Sequence, residues 1–96
     1  MAVIRRPDIP AAAMTPRPVV VEWLDSTHLS PGGWIDRDIA AEQGACSIVS
    51  VGWLIGEDDE AITLAQSITE ADDVTGAFVI PVACVVQMLT LRRPKR

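Results

Sequence analysis

Apolar and polar residues alternate most clearly along residues 46–57 of the chain. This period of two predicts a β-strand, because successive side chains of a strand point to opposite faces. The apolar residues of the strand share one face, which we expect to pack in the core: Val49, Val51, Trp53 and Ile55. The other face carries Gly52 and Gly56, and glycines inside a strand are typical of a bend or a bulge.

Four further segments have the composition of short strands. They cover residues 19–25, 61–68, 74–80 and 84–91, which are rich in Val, Ile and Leu. Each is bounded by proline, glycine or charged residues, as strands in small domains usually are. The chain is therefore predicted to contain five short strands.

The connections between these strands carry turn and helix signals. Residues 34–43 predict a short helix, because apolar residues recur there at helical spacing and Gly44 follows. Residues 57–60 are all acidic and predict a solvated hairpin turn. Pro81 should end the fourth strand, and residues 81–83 predict a single 3₁₀ turn before the fifth.

The length of 96 residues suits one domain and leaves no room for two. Residues 1–17 contain three prolines and no regular period, so we interpret them as a flexible N-terminal arm. Residues 18–91 contain all of the predicted elements and should form one small β domain. Residues 92–96 form a basic tail.

A bent strand, a tight hairpin and a one-turn connector before the last strand form a characteristic layout. The residues that carry it are Gly52, Gly56, Ile80-Pro81 and Val85-Val86. With these features, residues 49–91 resemble the SH3-like and Sm-like barrels. The resemblance implies an all-β fold, a small five-stranded barrel with one short helix between strands one and two.

Five short motifs point to a second resemblance: Trp23-Leu24-Asp25-Ser26, Gly33-Trp34, Ser50-Val51-Gly52, Ala65-Gln66-Ser67 and Ile80-Pro81. With them, residues 19–91 resemble small proteins carried by phages and prophages. The resemblance implies a phage-type accessory protein and brings no particular activity with it.

Charge is distributed unevenly along the chain. Residues 18–91 hold one base, Arg37, against twelve acids, although the whole chain has a net charge of only −5. Such an acidic body repels phosphate backbones, because nucleic-acid affinity depends largely on cationic contacts. We therefore expect nucleic acid to bind only weakly, through the tail residues Arg92, Arg93, Lys95 and Arg96.

Metal and catalytic chemistry find little support in the residue pattern. Cys46 and Cys84 have no partner motif and are predicted to be buried free thiols, so we expect no metal and no other cofactor. Asp25, Ser26 and His28 have the residue types of a hydrolytic triad. They lie within four residues of each other, whereas a triad usually converges from separate elements. We expect no catalytic residues, and the alternative role for Asp25 or Ser26 is to cap the turn after strand one.

A ligand site is predicted around the loop that follows strand one. This loop is the longest irregular stretch inside the domain, and it places a glycine pair next to Trp34. Such a loop suits a flat polar ligand that stacks on an aromatic ring. The predicted ligand-binding residues are Trp23, Asp25, Ser26, Trp34, Ser50 and Ser67. The alternative is that Trp34 folds back as a lid on the barrel.

Together these features predict a non-enzymatic, phage-type accessory binding protein. It would capture a small ligand, such as a nucleotide-like one, or a host protein, in the setting of counter-defence. A small domain with 49% hydrophobic residues gains burial by association, so we expect a homo-oligomer. Two alternatives stay open: an Sm-like RNA-binding ring and a small nucleotide hydrolase.

The cellular compartment is predicted from two sequence patterns, those of a secretion signal and of a membrane span. Residues 1–17 have no continuous apolar stretch, so they do not look like a secretion signal. The longest uncharged run, residues 74–91, is interrupted by Pro81 and predicts two strands rather than a membrane span. We expect a cytoplasmic protein without membrane contact.

Overall fold

The computed structural model of the protein describes residues 15–29 and 32–92. In chain order the elements are β1 (Arg17–Asp25), α1 (Arg37–Ala41), β2 (Cys46–Glu57), β3 (Ala61–Ala65), β4 (Ser67–Ile68), β5 (Val74–Thr75), β6 (Phe78–Pro81), a 3₁₀ turn (Val82–Cys84) and β7 (Val85–Thr90). Most of the predicted N-terminal arm, residues 1–14, and tail residues 93–96 lie outside the described residues.

The strands form one antiparallel five-stranded sheet and one small two-stranded sheet. The order in the large sheet is β6-β3-β2-β1-β7, and β4 pairs with β5 in the small sheet. The predicted all-β class and the helix between the first two strands are confirmed. The expected barrel closure is not present in the described residues, because β6 runs directly into the 3₁₀ turn and forms no ladder with β7.

The core lies on one face of the large sheet, which we call the inner face. Its buried side chains are Val19, Val21, Leu54, Ile62, Leu64 and Ile80. In β2 the inner positions are Ser50 and Gly52, because they lie opposite Val21 and Val19 of β1. The alternating residues predicted for the core are therefore on the outer face.

The exposure of these outer residues shows that the prediction was wrong. Val49 and Val51 are 66% and 65% exposed, and Trp53 and Ile55 are only half-buried. The error has a physical cause. A period of two says which residues share a face, but not which face the neighbouring strands cover, and here β1 and β3 supply the core side chains.

The bend expected in β2 is present. The pairing with β3 shifts register between Leu54 and Gly56, which marks a bulge. At Gly52 the two strands approach so closely that a Cβ atom would lie 3.0 Å from the carbonyl oxygen of Ala65. A side chain at this position would therefore require the two strands to move apart by a few tenths of an ångström.

Two predicted strands are each divided into two. The segment 61–68 breaks at Gln66, so that only its last two residues form β4. The segment 74–80 breaks at Gly76, whose φ of 62° is a left-handed conformation that interrupts a strand. The backbone N–H of Gln66 donates to the carbonyl of Thr75, which fastens β4 to β5 beside this break.

The turns and the helix lie at the positions that the sequence predicted, although the helix is shorter than predicted. The predicted hairpin is confirmed: one carboxylate oxygen of Asp58 accepts hydrogen bonds from the N–H groups of Glu60 (2.8 Å) and Ala61 (2.9 Å). The 3₁₀ turn is also confirmed. Helix α1 has only five residues and begins after Asp36, whose carboxylate caps it.

Both cysteines are free, but the predicted burial of Cys46 is wrong. Cys46 is exposed, because it pairs with Asp25 at the end of the sheet, beyond the core, and Cys84 is half-buried. Within residues 15–29 and 32–92, no helix has the length and apolar character needed to cross a membrane.

Candidate functional site

Two of the six predicted ligand-site residues are in direct contact. Trp23 on β1 and Ser50 on β2 both point to the inner face, and the indole Nε1 donates to the Ser50 hydroxyl at 3.0 Å. Trp23 packs against the edge of the core. The tryptophan thus has an apolar body in the domain and a satisfied polar group, which is typical of a structural tryptophan.

Asp25 and Ser26 follow at the end of the same strand. The Asp25 carboxylate accepts a hydrogen bond of 2.8 Å from the backbone N–H of Ser26. This contact is the turn-capping arrangement given above as the alternative to catalysis. The side chains of Asp25, Ser26 and His28 are all exposed, and no hydrogen bond between them assembles a nucleophile with a base.

Trp34 lies in the loop between β1 and α1 and has no cover in the described structure. Its relative exposure is 102%, so the lid arrangement considered for it is not adopted. Gly32, two residues earlier, has a φ of 74° and gives the loop a left-handed turn. An indole that projects fully into solvent is available to stack on a flat ligand or a protein surface.

Ser67 belongs to a different sheet from Trp23, Asp25 and Ser50. It belongs to β4 in the small sheet, where it pairs with Thr75. In the described part of the chain, no hydrogen bond links its hydroxyl to Trp23, Asp25 or Ser50. The division of the predicted 61–68 strand at Gln66 is the reason for this separation.

The structure also contains a cavity that the sequence did not predict. It lies on the inner side of the sheet, between the β2–β3 hairpin and the segment formed by the 3₁₀ turn and β7, and has a volume of about 340 Å³. Its lining residues are Glu57, Asp58, Asp59, Ile62, Val82, Val85 and Met88. A volume of this size is at the lower end of the range for small-molecule sites.

The cavity has an apolar floor and an acidic rim. Four aliphatic residues form the floor, and the three carboxylates all come from the hairpin end. At this rim, the guanidinium of Arg17 lies 3.6 Å from the Glu57 carboxylate. The acidic run 57–60 was the only sequence signal for the cavity, and it indicated a turn rather than a site.

A third feature is the apolar outer face of β7, β1 and β2. Val20 at the centre pairs with Val51 on one side and Leu89 on the other, so the three side chains form a row across three strands. Val51 and Leu89 are 65% and 58% exposed. Val49 extends the row toward Glu22. We call these four residues, Val20, Val49, Val51 and Leu89, the outer apolar row.

Metal chemistry gains no support from the side chains. Among residues 15–29 and 32–92, no group of three or more His, Cys, Asp or Glu side chains is arranged to hold an ion.

The comparisons with known proteins give no relatives. No protein-family model matches the chain, and neither a curated protein nor a solved structure matches it.

Proposed function

We propose that this protein is a non-enzymatic accessory binding protein that acts as a homo-oligomer. The observation that carries the proposal is the outer apolar row. Single exposed apolar residues are normal on a protein surface, whereas a contiguous group usually marks an interaction surface. Here the strand register makes the group contiguous.

The occupant that fits this face best is a second copy of the chain. Arg92 lies just beyond β7 at one end of the row, and Glu22, which shares the outer face with Val49, lies toward the other end on β1. Suppose that the outer faces of two copies pack together, related by a twofold axis that lies between the sheets and runs perpendicular to their strands. Arg92 of each copy then lies next to the acidic end of the row in the other copy. Apolar contact in the centre and opposite charges at both ends are then satisfied twice.

Burial of this row supplies a modest driving force. Each half- to two-thirds-exposed aliphatic side chain contributes about 1 kcal/mol or more when it is covered. The free energy of this row alone is small against the cost of association, which is at least about 4 kcal/mol. Association therefore needs contacts beyond this row, and we expect a concentration-dependent assembly rather than an obligate one.

Sedimentation velocity tests the proposal. The wild-type protein should sediment above its monomer mass of 10.3 kDa at micromolar concentration, and Val51→Lys should shift it to monomer. Ile39→Lys is the matched control, because Ile39 is 54% exposed but lies on α1, away from the sheet. A wild-type monomer, or equal effects of the two variants, would contradict self-association through this face.

The loop site supports the ligand side of the same function. Trp34 is fully exposed after a glycine turn, and we propose that it stacks on a flat ligand, such as a nucleotide-like one, or on a host protein. The resemblance to phage-carried proteins supports a role in counter-defence in the host cytoplasm. Asp25 and Ser26, at the other end of this loop, would add polar contacts.

We also propose a more specific fold assignment than an antiparallel β-sheet domain. The strand order β6-β3-β2-β1-β7, the bent β2 and the 3₁₀ turn before β7 support an SH3-like or Sm-like domain. The Sm-like RNA-binding alternative is less well supported, because the described residues contain only three bases, Arg17, Arg37 and Arg92.

A further inference from the structure

We infer that the cavity between the β2–β3 hairpin and β7 binds a small organic cation with an apolar body, such as an alkylammonium compound. The inference rests on the proposal that the protein is a binding protein, and it names one ligand class. It does not depend on self-association, because the cavity is on the inner side of the sheet and the outer apolar row is on the opposite face.

The walls of the cavity are held by backbone hydrogen bonds. The N–H of Val82, at the start of the 3₁₀ turn, donates to the carbonyl of Glu60 at 2.7 Å. On the hairpin side, Asp58 N–H donates to the carbonyl of Ala61 at 3.0 Å, and the Asp58 carboxylate accepts from two backbone N–H groups. The two walls are thus joined directly, so the cavity exists before a ligand enters.

The floor favours an aliphatic or aromatic group. Ile62 is 3% exposed and belongs to the core, and Met88 and Val85 pack against that core. Val82 completes the floor and is 39% exposed. A hydrocarbon group placed there covers apolar surface that otherwise contacts water, which is the main driving force in sites of this kind.

The rim selects the charge of the ligand. Glu57, Asp58 and Asp59 contribute to it. The Asp58 carboxylate is held by the hairpin backbone, and the contact of Glu57 with Arg17 is 3.6 Å long and solvent-exposed. An anionic ligand is repelled by the Asp59 carboxylate, whereas a cation gains attraction to Asp59 and to Glu57, whose exposed pair with Arg17 is weak. The excess of twelve acids over one base in residues 18–91 adds a long-range attraction for cations.

Four probes separate the contributions of charge and apolar body. We would follow the backbone amide NMR signals of the full-length protein during titration with hexylammonium, hexanol, hexanoate and methylammonium. Hexylammonium should shift the amides of residues 57–62 and 82–88. Hexanol should bind more weakly, and hexanoate and methylammonium should produce no saturable shifts at the same concentrations.

Charge-removing variants locate the site. Glu57→Gln and Asp59→Asn should each weaken hexylammonium binding about fivefold, the effect of one solvent-exposed charge pair. Glu70→Gln is the matched control, because it removes one acid from the loop between β4 and β5, outside the cavity, and should leave affinity unchanged. Asp58 is left intact because it holds the hairpin.

Several results would overturn the inference. One is that hexylammonium and hexanoate bind equally, since the rim then does not select charge. Another is that Glu70→Gln weakens binding as much as Glu57→Gln, since attraction is then only general. Absence of saturable shifts with hexylammonium also refutes it. Each of these results leaves the sedimentation test of the proposed function unaffected, so the two can fail separately.

Discussion

The indole Nε1 of Trp23 donates a hydrogen bond to the hydroxyl of Ser50, with 3.0 Å between the two atoms. The residues are 27 positions apart and lie on the neighbouring strands β1 and β2. The bond satisfies the only polar atom of a half-buried tryptophan and fixes the inner face near the end of the core. This hydrogen bond explains why a polar serine occupies a core-facing position of β2.

Removal of this hydrogen bond should destabilise the domain. Ser50→Ala should lower the free energy of unfolding by about 1 kcal/mol, measured by urea denaturation, because the indole N–H loses its partner. Ser47→Ala is the control, since Ser47 is exposed on the same strand and should change stability by less than about 0.5 kcal/mol. In a double-mutant cycle with Trp23→Phe, the two effects should not add. Strict additivity would show that the bond contributes nothing.

Replacement of Trp34 should affect binding but not folding. Because the indole is fully exposed, Trp34→Ala should change the free energy of unfolding by less than about 0.5 kcal/mol. Loss of ligand or host-protein binding at unchanged melting temperature would support the loop site. A fall of about 3 kcal/mol, as for truncation of a buried aromatic residue, would contradict the exposed position.

The bend in β2 can be tested at Gly52. Gly52→Ala should destabilise the domain by about 1 to 3 kcal/mol, because the new methyl group lies 3.0 Å from the carbonyl oxygen of Ala65 and the sheet must shift. Gly44→Ala is the matched control, with no heavy atom within 4 Å of the added Cβ. Thermal unfolding of both variants gives the comparison. Equal melting temperatures would mean that the strand needs no close approach at Gly52.

The basic tail should account for any nucleic-acid binding. Its four bases predict a weak, salt-sensitive affinity for single strands, with a log–log salt slope no steeper than about −3 at roughly 0.7 per phosphate contact. Deletion of residues 92–96 should abolish the binding measured by fluorescence anisotropy. Neutralisation of Arg5 and Arg6 in the other basic segment is the control. Tight binding by the truncated protein at physiological salt would point to a site on the acidic body.

The sequence predicted the kinds of element better than their packing. The hairpin at 57–60 and the 3₁₀ turn after Pro81 were found because both rest on local chemistry, a carboxylate that caps a turn and a proline that ends a strand. The core face of β2 was missed because the strand is apolar at alternate positions on one side and small on the other. Only the register against β1 decides which side is covered.

The candidate sites also differ in how far the sequence could predict them. Trp34 could be singled out from its glycine neighbours alone, and it is fully exposed, while its role as a contact residue stays a prediction. The cavity could not be predicted, because Glu57, Val82 and Met88 are brought together by three separate elements. Ser67 was predicted to be a polar neighbour of the loop site, and the break at Gln66 places it in the small sheet, where it pairs with Thr75.

The interior position of β1, next to the edge strand β7, has a consequence for synthesis of the protein. Val20 near the start of the domain pairs with Leu89 near its end, and β1 lies between β2 and β7. A growing chain emerges from the ribosome with its N-terminal residues first, at about 5–20 residues per second. For several seconds β1 therefore has β2 as a neighbour but lacks β7. During that interval one edge of β1 is unpaired, and a chaperone or a second nascent chain could bind it before the sheet is complete.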